Sequence, residues 1–137
     1  MSLKILKEIR TNNFADPQMG EKFVNVWKQA EEIITKQKLE GPFYGVYHKY
    51  QSNYKGDYNY AVANIGVEYS DLNINETAHY KEFEVDTKKP NAISKTWEHI
   101  WDLEDAGKLN RIYETDFEFY DLDGSITIYI GVKKNEK

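Results

Sequence analysis

The chain has 137 residues, 40% of them hydrophobic, and 18 basic against 23 acidic side chains give a net charge of −5. That composition fits one globular domain, 1–137, with its own core. The lack of cysteine excludes a disulfide framework, a thiolate nucleophile and a sulfur-ligated metal, and three histidines leave little for a histidine-rich metal centre. No apolar run nears the roughly 18 residues that a bilayer span needs, and the N-terminus lacks a signal-peptide core. The expectation is a cytoplasmic protein with no cofactor, no metal and no membrane partner. The acidic balance disfavours direct nucleic-acid binding and suits a cationic partner.

A first strand is expected over 3–10, where Leu3, Ile5, Lys7 and Ile9 alternate with more polar neighbours and Leu6 breaks the pattern. Asp16 and Pro17 suit a helix start. Met19, Phe23, Val26, Trp27, Ala30, Ile33 and Ile34 then form one apolar stripe on a helix of about 17–38, stopped by Gly41-Pro42. A second strand follows over 43–48, a loop over 52–58, a third strand over 60–68 and a polar connection over 71–76. A fourth strand covers 77–85. Helix two covers 90–106, with Asn91 as cap and Gly107 as terminator. A fifth strand (114–120), an Asp-Gly turn (121–125) and a last strand (126–132) complete the order. Strand, helix, strand, strand occurs twice, with halves of about 1–72 and 73–137. Tyr44 to His48 lines up with Phe117 to Asp121, and Ile65 to Glu68 with Ile130 to Lys133.

Period two assigns the faces. Phe117 and Phe119 are placed toward helix two, and Tyr44 and Val46 toward helix one. Glu118, Tyr120, Tyr47 and Val62 then share a face that no helix covers, joined by Thr127, Tyr129 and Gly131 of the last strand. Gly45 and Gly66 leave space there. The chain is rich in rings, with 11 Tyr, 6 Phe and 3 Trp. Tyrosine suits strands as well as half-wet cavities. An acid among such rings, with room beside it, suits a cation, because charge and ring faces both attract it. A strand glutamate paired with a lysine fits the same pattern.

Phe117-Glu118-Phe119-Tyr120-Asp121 followed by Ile126 to Val132 resembles the end of the GyrI-like effector-binding domain. That drug-binding module is fused to AraC- and MerR-type regulators, and occurs alone in gyrase-inhibitory and integron cassette proteins. Gly41 to Tyr47 is similar to its mid-domain strand, and Ile93 to Trp101 to its second helix. The resemblance implies an α+β fold in which two pseudo-symmetric β-α-β-β modules form one antiparallel sheet with a central cleft. It implies that Glu118 on the cleft floor receives lipophilic cations, and it makes Tyr47, Tyr80, Phe83, Trp97, Trp101, Tyr120 and Tyr129 candidate walls. The strand around Glu82 and Glu84 is more charged than the family pattern, and Thr87-Lys88-Lys89 stands where that pattern has glycine.

The leading expectation is therefore a stand-alone module for a small hydrophobic cation, serving as a sensor or beside a regulatory protein, with a homodimer as a further option. The second is a hydrolase of electrophilic small molecules using Glu118 and a tyrosine. The third is a protein-interaction module such as a gyrase inhibitor. Metal ligation and nucleophilic catalysis have no matching residue set.

Overall fold

The computed structural model describes residues 1–66, 70–74 and 78–134. The elements run β1 (Ser2–Thr11), α1 (Met19–Gln37), β2 (Phe43–His48), β3 (Tyr58–Ile65), β4 (Leu72–Asn73), β5 (His79–Val85), α2 (Ala92–Asp105), β6 (Thr115–Tyr120) and β7 (Ile126–Val132). They form an α+β fold on one antiparallel sheet, ordered β4-β1-β3-β2-β6-β7-β5. The expected strands and helices are present in the expected order. The connection over 71–76 also contains the two-residue β4, paired with Ser2 and Leu3 of β1. Val67, Glu68 and Thr77, expected at strand ends, lie outside the described residues. No helix among the described residues is long and apolar enough to cross a membrane.

The two halves meet where β2 pairs with β6. Gly45 stands directly opposite Glu118, and Tyr44 opposite Phe119. The alignment that matches Tyr44 to Phe117 makes Gly45 the counterpart of Glu118. The seam between the halves thus carries a carboxylate on one side and open space on the other.

Local chemistry explains the element ends. Asp16 does not sit at the helix boundary. Its carboxylate accepts from the Gln18 N–H at 2.9 Å and the Thr11 hydroxyl at 2.7 Å, and it pairs with Lys22 at 2.6 Å. These contacts hold its pKa down at about 2, and the turn they fix delays the helix until Met19. Helix α1 ends before Gly41-Pro42, because Lys38 turns left-handed and the Leu39 N–H bonds back to Ile34. Asn91 occupies the cap position of α2 but makes no side-chain cap bond. Gly107, at φ 73, closes α2 as expected. Its positive φ lets the Lys108 N–H reach the Leu103 carbonyl at 2.8 Å.

The facing of the sheet is the main correction. Both helices lie on the Glu118 side. Leu6, Val26, Ala30, Tyr58, Tyr60 and Val62 form the core under α1. Trp97, Ile100, Ile128, Ile130 and Val132 form the core under α2. Tyr44, Val46, Ala61, Ala63 and Phe117 turn to the opposite face, where Leu3, Ile74 and partly buried Met1, Leu72 and Phe119 close over them. Period two identified which residues share a face within β2 and β6, but both faces are apolar. Alternation then cannot say which one the helices cover. In β7 the expectation is off by one residue. Ile128, not Tyr129, stands opposite Glu118, so Thr127 and Tyr129 fall on the helix-free face.

Candidate functional site

Between α1 and α2, above β2, β3 and β6, lies a cavity of about 380 Å³. Period two brings Tyr47 of β2, Tyr58 and Tyr60 of β3, and Glu118 and Tyr120 of β6 to its floor. Met19, Phe23 and Trp27 line it from α1 at helical spacing, and Ile93, Trp97 and Trp101 from α2. Tyr50 and Tyr54, from the loop after β2, close one end. The chain's three tryptophans, 27, 97 and 101, all border this space.

Glu118 is only 2% exposed. Its Oε2 accepts from Tyr47 Oη at 2.7 Å and from Trp97 Nε1 at 2.9 Å. Its Oε1 accepts from Tyr120 Oη at 2.6 Å and from Tyr60 Oη at 3.1 Å. The indole of Trp27 donates in turn to Tyr60 Oη at 3.0 Å. An indole N–H is donor only, so the Tyr60 proton is turned away from Trp27, on the side where Glu118 Oε1 lies. Burial, followed by the charge of Glu118, pushes the Tyr47, Tyr60 and Tyr120 hydroxyls far above the usual tyrosine range, so they remain donors. No lysine or arginine among the described residues pairs with Glu118.

Gly45 makes this arrangement possible. A Cβ built there would come within 2.7 Å of Glu118 Oε1 and 2.9 Å of Tyr60 Cζ. The absent side chain is the room in which the carboxylate and the Tyr60 hydroxyl meet.

Arg111 also borders the cavity, but its charge is already matched. Its Nη2 lies 2.7 Å from Asp116, which is fully buried and also accepts from Tyr50 Oη at 2.5 Å. Glu104 lies 3.5 Å from its other terminal nitrogen, and the guanidinium rests 4.2 Å above the Tyr113 ring. Burial works against this charge, but Asp116 outweighs it and holds the guanidinium above its usual value.

Of the candidate residues, Glu118, Tyr47, Trp97, Trp101 and Tyr120 come together around the cavity. Tyr80, Phe83 and Tyr129 do not. Tyr80 and Tyr129 lie on the helix-free face, with Tyr129 stacked on Phe117 at 4.7 Å and Tyr80 donating to the Thr115 carbonyl at 3.0 Å. Phe83 faces α2 but packs in the outer core around Val85. Glu82 and Glu84 lie on edge strand β5, away from the cavity. Sequence reasoning missed Tyr58 and Tyr60, although Tyr60 has the parity of Val62, which had been placed on the Glu118 face. The apolar stripe that holds Met19, Phe23 and Trp27 does not announce the cavity either, because a cavity wall and a core stripe share one spacing. Among the described residues, no group of three or more His, Asp or Glu side chains could hold a metal ion.

No protein-family model matches the sequence, and no curated protein matches it. Among solved structures, the chain is similar to an integron cassette protein from the mobile metagenome of Vibrio cholerae. The two share 23% identity over 97% of each chain, with a TM-score of 0.68. That likeness is one of fold: the expected α+β architecture of one antiparallel sheet with two helices.

Proposed function

We propose that this chain binds small lipophilic organic cations in the cavity between its helices, as a sensor or as the ligand-binding partner of a regulator. The observation that carries the reading is the buried Glu118 carboxylate, which borders an aromatic space and has no cationic partner among the described residues. The cavity volume suits a small organic molecule. Ring faces around it attract a cation and replace part of the hydration that the cation loses. The geometry supports binding over hydrolysis. All four acceptor positions of Glu118 are engaged by protein donors, so none is left to take a proton from a water molecule.

Because every tryptophan borders the cavity, binding is read from intrinsic fluorescence and checked by calorimetry. N-methylquinolinium should bind at least about 10-fold more tightly than quinoline held neutral at mildly alkaline pH. Equal affinity for the two would contradict the proposal, as would a fluorescence response to neither.

A further inference from the structure

Resting on that reading, the hydrogen bonds around Glu118 say which cations fit. A carboxylate offers about four acceptor positions, and the four donors Tyr47, Trp97, Tyr60 and Tyr120 take two on each oxygen. One of these bonds comes from a donor-only indole, Trp97, and a second indole, Trp27, turns the Tyr60 proton away from itself. The charge of Glu118 therefore reaches the cavity without a free lone pair. We propose that the site selects cations that carry no N–H, such as quaternary ammonium or N-alkylated heteroaromatic ions, and that the Tyr120 hydroxyl is a specificity-determining group that closes the carboxylate to protonated amines.

The physical basis is an asymmetry. A quaternary cation needs only Coulomb attraction and ring faces, both of which act through space. A primary ammonium brings three N–H donors that water satisfied before binding. In the cavity they meet an acid whose acceptors are already occupied, and the partners left to them are the tyrosine hydroxyl oxygens and the exposed Glu98. An N–H that gives up water for these instead of a charge-assisted bond to buried Glu118 loses on the order of 10-fold in affinity. Tyr120 is the donor to test. Its hydroxyl makes the shortest bond to Glu118, at 2.6 Å, while its ring rests on Trp27 at 5.1 Å, a contact that phenylalanine retains.

The experiment uses a matched pair, naphthylmethyl-trimethylammonium and naphthylmethyl-ammonium, titrated calorimetrically into four proteins. The wild type should prefer the quaternary ion by about 10-fold or more. Tyr120→Phe frees a position on Oε1. It should tighten the primary amine several-fold and leave the quaternary ion within about 2-fold, so the preference narrows. Tyr47→Phe frees a position on Oε2 and should narrow it in the same way, which keeps the test decisive if one variant folds poorly. A preference unchanged in the folded variants would overturn this inference, as would a wild type that binds both ions equally. Glu118→Gln separates the two levels of the argument. If it weakens the quaternary ion while the hydroxyl variants leave the preference intact, only the selectivity inference fails. If it leaves the quaternary affinity unchanged, the cation-binding reading fails with it.

Discussion

At the scale of single residues, the site turns on what stands on either side of the β2–β6 seam. Glu118 occupies one side, and its counterpart Gly45 leaves the other open. A methyl group at position 45 would press on Glu118 Oε1 and the Tyr60 ring at once. Both are held by short hydrogen bonds and by packing in a buried cluster, so neither can move away cheaply. Gly45→Ala should therefore cost about 1–3 kcal/mol of stability and weaken cation binding through the displaced carboxylate. Chemical denaturation reads the first effect and calorimetry the second. A variant as stable as the parent would show that the shell around Glu118 is looser than its distances imply. The acid itself could be read from the sequence by strand parity and by its resemblance to a family motif. Its hydrogen-bond partners were less legible. Tyr47 and Tyr120 follow from parity, whereas the reach of Trp97 to Glu118 and of Trp27 to Tyr60, from two different helices, depends on helix placement, which strand alternation does not encode.

At the scale of elements, β1 shows how one residue redirects a strand. The register with β3 shifts between Ile5 and Lys7, so Leu6 is an extra residue. Before the shift, Leu3 and Ile5 serve the helix-free core. After it, Ile9 packs with the core under α1. The break at Leu6 was visible in the sequence, but its meaning as a bulge was not. Polar side chains also tie β1, β3 and β2 together. His48 of β2 lies 2.6 Å from Glu8 of β1, which also accepts from Asn59 of β3 at 2.9 Å. Burial pulls the His48 pKa below 6.5, and Glu8 only partly offsets it. Between the folded and unfolded values the unfolded chain binds more protons, so the contribution of His48 is full above 6.5 and is lost as pH falls through that window. Denaturant midpoints should drop on mild acidification, and His48→Gln should flatten that dependence. An identical acid slope in the variant would assign it to other groups.

At the scale of the whole molecule, the order of elements, the internal repeat and the α+β class were legible because turns, caps and apolar spacing are local signals. The side on which the helices pack was not. Tyr44, Val46, Phe117 and Phe119 look as suited to a helix interface as the residues that form it, and the helix-free face builds a core of its own. Exchanging the faces does not remove the cleft: it moves Glu118 from an open sheet surface to the floor of a chamber between two helices. Burial there strengthens its field on anything that enters, and the acidic balance of the chain favours the approach of a cation.

The most direct measurement compares wild type and Glu118→Gln by calorimetry with the same pair, N-methylquinolinium and neutral quinoline. The amide removes the charge and keeps the shape. The cation should lose at least about 10-fold in affinity while quinoline changes by less than about 2-fold. A cation that binds the variant as tightly as the parent would contradict the account.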